Sequence, residues 1–275
     1  MAIPGDGTAA NPYIVDNWAD FQSVNSGSWY VKFKDGGGVI DFNDVNPDGY
    51  TTPLVINCHL DGNGWVWRNI YLQDGGYIKS GWEVSNLKIL NLYAAFINRY
   101  SYVFDCNNWT NMVFSCFVNC TDTAYVFSRT YNGTVTLSKC SANIKMRGGS
   151  PCLFAQTAYL KASQCHFHLD LKGYKVGIFS TGDSCIGDVY NCLFTGQLQF
   201  GAGGIFRLFP YNNGGYNVYD ITVPSSSQAY GSDTMSIYNS DTCIITSSYP
   251  KLFPCDSTQI KSASYLESIG FPIGV

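Results

Sequence analysis

Val103-Phe104, Val126-Phe127, Leu153-Phe154, Ile178-Phe179 and Ile205-Phe206 are successive returns to one aliphatic-phenylalanine pair, separated by 23, 27, 25 and 27 residues. A second column runs beside it. Cys116, Cys140, Cys165 and Cys192 follow at steps of 24, 25 and 27, each in a strand-like stretch such as Val113 to Val118 or Val189 to Phe194. The cysteine lies 12, 13, 11 or 13 residues after the phenylalanine, so one repeat holds at least two strands joined by polar or glycine-containing turns. A fixed period of this length is the mark of a solenoid. No segment between the columns sustains a helical period, which excludes strand–helix alternation. Signals for tight two-residue hairpins are sparse, which argues against an antiparallel sandwich.

The repeat therefore predicts an all-β chain, a single-stranded right-handed parallel β-helix of about 25 residues per coil. Equivalent residues of successive coils then lie about 4.8 Å apart, and an inward position becomes a ladder of one residue type. Phe104, Phe127, Phe154, Phe179 and Phe206 would stack, and Cys116, Cys140, Cys165 and Cys192 would pack as small hydrophobes.

Composition agrees with this body. Of 275 residues 13% are charged, 16% are aromatic and 28 are glycine, as suits a β-rich core with many turns. A solenoid of this length needs no second domain. The net charge is -4 and the 16 basic residues are scattered, with no run dense enough to track phosphates, so nucleic acid is discounted as a partner. No stretch is apolar for long enough to span a bilayer, and residues from Met1 onward lack an export-type leader, so neither membrane insertion nor general secretion is expected. The 11 cysteines are odd in number and lack zinc spacing, which favours free buried thiols over disulfides or metal; no cofactor is expected.

Both ends read as covers for the exposed solenoid edges. Asn17 is placed to cap a short helix, with Asp20 three residues on and Trp18, Phe21 and Val24 along one face. Ser262 is placed to cap a second, carrying Tyr265, Leu266 and Ile269 and stopped by Gly270 and Pro272. The expected division is an N-terminal cap over 1–30, coils over 31–250 and a C-terminal cap over 251–275, all one structural domain.

Val176-Gly177-Ile178-Phe179, Ile186 and Val189-Tyr190-Asn191-Cys192, with Gly203-Gly204-Ile205-Phe206, resemble the GLUG-type repeat of phage and bacterial surface proteins. Phe179 and Phe206 stand where that pattern has its second glycine. The opening Gly5-Asp6-Gly7-Thr8 to Val15 and the closing Thr258 to Phe271 look like the ends of such β-helices. The resemblance implies a surface solenoid, often an appendage or adhesion module, and no particular reaction. Joined to the free thiols, it leads to the expectation of a non-enzymatic structural or receptor-binding component of a phage virion, assembled in the host cytoplasm. Its partners would be other virion proteins and a host surface glycan. Alternatives are a glycan-cleaving β-helix, either a polysaccharide lyase or a glycoside hydrolase, and a bacterial cell-surface adhesin. Neither a heptad segment nor a trimerising tail is present, which leaves a monomer docked on partners and a homotrimer both open.

Candidates for chemistry are few. Hydrolytic β-helix enzymes resemble one another in an adjacent aspartate pair with a nearby Gly-His-Gly, and the sequence has neither. Lyase-type β-helix enzymes resemble one another in Ca²⁺-binding acids and a basic residue that removes a proton, for which Asp170 with Lys172 or Lys175 is the nearest local equivalent; Asp183 and Asp188 could face each other as an acid/base pair, though their ordinary role is turn formation. His166 and His168 are two apart on one strand and project from one face, so three copies about an axis would offer six imidazoles to a metal. Their ordinary reading is an exposed polar strand. Trp65, Trp67, Tyr71 and Trp82 crowd the first coils, either as platforms for sugar or partner protein or as filling for an irregular coil.

Overall fold

The computed structural model describes residues 2–98, 101–128, 134–155, 159–179, 187–190, 192–205, 213–215 and 218–222. They form a right-handed parallel β-helix. Every strand pairing among the described residues is parallel, as a solenoid requires. Each coil visits three ladders. One climbs from Tyr13–Val15 through Tyr30–Phe33 and His59–Asp61 to the Thr134–Ser138, Tyr159–Ser163 and Gly187–Tyr190 strands. The second carries Val113 against Ser141, Ser141 against His166 and His166 against Leu193. The third carries Leu54 against Ile78, Ile78 against Phe104 and Phe104 against Phe127. Long strands such as Val113–Ser128 run from the second ladder into the third, bending at a register shift between Cys120 and Thr123. Pairing already begins at Tyr13, so the first coil reaches into the segment expected to be cap alone.

The corner between the first and second ladders is made by residues in the left-handed region. Asn86, Asn111, Lys139 and Gln164 have φ of 54, 53, 53 and 54°. Asparagine tolerates this conformation because its short amide bonds locally, and here it also bonds along the stack. Asn111 Nδ2 donates to Asn86 Oδ1 at 2.7 Å, and Asn86 Nδ2 donates to Asp61 Oδ1 at 2.9 Å.

Inside, alternate side chains of all three ladders fill one continuous apolar core. Phe104, Phe127 and Phe154 are in register and stack with centroids 5.4 and 5.7 Å apart. Phe179 continues this backbone register opposite Phe154, while Phe206 lies outside the described residues. The cysteine column needs a correction. Cys140, Cys165 and Cys192 each immediately precede the mutually paired Ser141, His166 and Leu193, and so form one ladder. Cys116 pairs with Leu92 and Ile144, four residues past that position, which Met112 fills in its coil. Counting from the phenylalanine aligned residues of two different rungs because the strand bends and bulges between them.

At the start, Asn17 Oδ1 accepts the Asp20 N–H at 2.9 Å and begins the helix Trp18–Val24. Phe21 and Val24 are buried, and Trp18 packs on Phe42 and Trp67. A second short helix, Phe42–Val45, is capped by Asp41. Together they plug the first coil with aromatic rings, Trp67 being the hub: Trp18, Phe21 and Phe42 lie 5.5, 5.5 and 5.6 Å from it. The expected closing helix around Tyr265 lies outside the described residues.

Candidate functional site

Because the inward positions form the core, chemistry falls to the outward alternates. On the outer face of the second ladder, pairing places Tyr71, Tyr93, Phe117, Lys145, Asp170 and Gln197 in one column along the solenoid axis. Two residues along each strand, Asn119, Arg147, Lys172 and Gln199 form a parallel column. The first column opens as aromatic rings. Tyr71 stacks on Tyr93 at 5.4 Å and Tyr93 lies 5.6 Å from Phe117, with Tyr93 and Phe117 each 37% exposed. The Lys145 ammonium sits 5.7 Å above the Phe117 ring and joins the aromatic stretch to a polar one.

The polar stretch borders an open cleft of about 610 Å³, walled by Arg147, Lys172, Gln199 and Phe200 over a floor that includes Gly148 and Gly173. Arg147 is fixed in its wall. Its Nη1 donates to the Met146 and Asp170 carbonyls at 2.8 and 2.7 Å, and its Nη2 makes a short ion pair with Asp170 Oδ2. Gln197 donates to Asp170 Oδ1 at 3.1 Å, and Gln199 donates to Gln197 at 3.1 Å. Gly148 cannot be otherwise: its φ is 125°, and a Cβ there would stand 1.6 Å from the Cys120 carbonyl oxygen.

These contacts decide what Asp170 can do. Burial pushes its carboxyl up, but the Arg147 hydrogen bond and charge, with Gln197 and Lys145, outweigh burial and hold it below the usual carboxylate range. Both of its oxygens are engaged, one by Arg147 and the other by Gln197, and no further carboxylate joins it in a cation-binding group among the described residues. Lys172 shares its face, exposed and with no ion pair among the described residues. Asp183 lies outside the described residues, and Asp188 is placed only by its backbone, paired with Lys161 and Asn213.

The histidines do project together, and they converge on a hydroxyl. His166 Nε2 and His168 Nδ1 lie 3.1 and 2.9 Å from Thr195 Oγ1. Burial, and secondarily the neighbouring His168, push His166 down to about 4. One hydroxyl, as donor to one ring and acceptor from the other, satisfies this pair in its neutral form. No group of metal-ligating side chains suited to an ion occurs among the described residues.

Of the four early aromatics, two are core. Trp65 is 6% exposed, with its Nε1 donating to the Lys34 carbonyl at 2.8 Å, and Trp67 is fully buried. They share a face, and that face is the inward one, so neither is a platform. Tyr71 is half-buried and begins the exposed stack just described. Trp82 is half-buried and tilts over His59 at 4.9 Å, while His59 stacks on Tyr30 at 4.3 Å, a shorter aromatic row on the first ladder.

No protein-family model matches the chain, and no curated protein matches it. Among solved structures it is similar to "a putative immunoglobulin A1 protease from Bacteroides ovatus", at 13% sequence identity and a TM-score of 0.40 over 86% of this chain and 84% of that one.

Proposed function

We propose that this chain is a non-catalytic glycan-binding β-helix, a GLUG-like surface component of a phage particle that presents its outer sheet face to a host polysaccharide. The observation that carries the glycan reading is the Tyr71–Tyr93–Phe117 stack, an aromatic strip along the solenoid axis that leads into hydrogen-bonding amides. Sugar rings present apolar faces to aromatic rings and hydroxyls to amides and charged groups, and this strip offers both in sequence. The rigid ladder holds it flat, so little ordering entropy opposes binding. The virion setting is supported by the thiols. The eight cysteines among the described residues are buried, as suits core side chains of a protein that folds in a reducing compartment.

Binding is favoured over cleavage because the Asp170 carboxylate is committed to Arg147 and Gln197. The test is co-sedimentation of the purified chain with host cell-surface polysaccharide, with mass spectrometry of purified particles for its location. Retention of the wild type, an affinity lowered at least tenfold by Phe117→Ala, and no steady release of oligosaccharide are expected. Steady release would replace this reading with a depolymerase. The chain on a bacterial surface and absent from particles would make it an adhesin.

A further inference from the structure

We propose that the cleft between Arg147 and Lys172 takes the carboxylate of an acidic polysaccharide, a chain with one negative charge per sugar unit; this rests on the glycan reading above and names its ligand class. The inference starts from charge. The whole chain carries -4, yet the two adjacent columns beside the cleft hold Lys145, Arg147 and Lys172 against Asp170, three positive charges and one negative, or +2. Among these residues Asp170 is the one anion; it pairs with Arg147 and also feels the Lys145 charge, which leaves Lys172 without a counter-charge among the described residues. Lys145 rests over Phe117 beside the cleft, and Lys172, in the cleft wall, has no ion pair among the described residues, so its ammonium group is available to an anion.

Geometry adds direction. Arg147 and Lys172 are in register on adjacent coils, about 4.8 Å apart along the axis. Arg147 is already oriented by the two carbonyls and Asp170, which leaves Nε–H and one Nη2–H without a partner among the described residues, while Gln199 continues the column as a neutral hydrogen-bonding group. Single positive charges spread over successive rungs, with a carboxylate among them, suit a polymer of singly charged units. A compact polyanion would meet Asp170 at close range. The aromatic strip lies on the same axis, so a chain stacked on Tyr93 and Phe117 reaches the cleft without turning.

The experiment uses the full chain and titrates it, by calorimetry, with a galacturonate oligosaccharide, with the same oligosaccharide after its carboxyl groups are reduced to alcohols, and with a sulfated oligosaccharide of equal length. The acidic form is expected to bind at least tenfold tighter than the reduced form, and its affinity to fall steeply between low and high salt. Lys172→Glu is expected to abolish that preference while its melting curve matches the wild type, because Lys172 is exposed. Equal affinity for the acidic and reduced forms, or an unaltered preference in Lys172→Glu, overturns the carboxylate site but leaves the glycan reading standing. Tighter binding of the sulfated form overturns the carboxylate assignment. No binding of any of the three overturns the carboxylate site, and failure of the wild type to co-sediment with host polysaccharide as well overturns the glycan reading itself.

Discussion

Asn111 donates from Nδ2 to Oδ1 of Asn86 on the preceding coil at 2.7 Å, and both residues sit at φ near +54°. The side-chain bond and the strained backbone are thus one device, since the residue best able to turn the corner also ties successive coils together. Replacing Asn111 by alanine removes the bond and leaves a Cβ-bearing residue in the left-handed region, at an expected cost of about 2 kcal/mol. Asn111→Gly keeps the turn and loses only the bond, and should cost about 1 kcal/mol. Lys139 occupies the next corner at φ 53°, so Lys139→Asn should stabilise by about 0.5–1 kcal/mol. Urea denaturation of the three variants checks the order; equal effects of alanine and glycine at 111 would remove the backbone half of the account.

The cysteine ladder should be chemically silent. Burial pushes the thiols of Cys58 and Cys116 up to about 12 and that of Cys120 up to about 11, and it drives Cys140 and Cys165 well above their ordinary value. Thiolate is the reactive form, and little of it exists at neutral pH in such surroundings. A thiol reagent applied to the native chain at pH 7.5 should therefore label none of these positions, as read by peptide mass spectrometry, and should label all of them in denaturant. Rapid native labelling of Cys140 or Cys165 would show that the interior opens between coils.

How much of this was legible in the sequence follows from which residues repeat by type. The phenylalanine column was legible because Phe104, Phe127 and Phe154 keep one residue type as they stack inward, despite coils of unequal length. Cys116 was misplaced because the corner changes residue type, from Ser85-Asn86-Leu87 and Thr110-Asn111-Met112 to Ser138-Lys139-Cys140 and Ser163-Gln164-Cys165. The corner residues align Met112 with Cys140. The exposed strip was hidden for a related reason. Its members Tyr71, Tyr93 and Phe117 differ in type, and a register shift opposite Phe114 and Cys116 breaks the count. The cleft was hidden too, because its walls come from separate coils and only Lys172 stood out locally.

Trp67 and Trp82 should respond very differently to truncation, although the sequence allows both the same two readings, platform or core filling. Trp67 is fully buried at the centre of the N-terminal aromatic plug. Trp67→Ala leaves a cavity among Trp18, Phe21 and Phe42 and should cost about 3–5 kcal/mol. Its Nε1 has no hydrogen-bond partner among the described residues, so Trp67→Phe removes an unsatisfied donor along with some packing and should cost about half as much or less. Trp82 is half-buried, and its truncation should cost about 1 kcal/mol. Thermal unfolding of the three variants tests this, and a mild Trp67→Ala would mean that the plug contributes little to holding the first coil.

His166 gives the fold an acid-side weakness that can be read directly. Its pKa is pushed down to about 4 by burial and by His168, against an ordinary value of 6.5. Between those two values the unfolded chain binds the proton and the folded chain does not, so stability is full above pH 6.5 and declines as pH falls toward 4. The shift corresponds to about 3 kcal/mol, and partial exposure of the ring makes about 2 kcal/mol the expected loss. Asp170 is held below its ordinary range, so its own contribution is lost as pH falls below about 4, at the lower end of this window or beneath it. The comparison that isolates the histidine is therefore wild type against His166→Gln, by urea denaturation at half-unit steps from pH 7 to 4. The variant should lose the slope between 6.5 and 4, and His168→Gln should raise the lower end of that window and shrink the loss by removing the neighbouring charge. Parallel curves for wild type and His166→Gln would mean that the imidazole is protonated without cost, beside Thr195 and open to water.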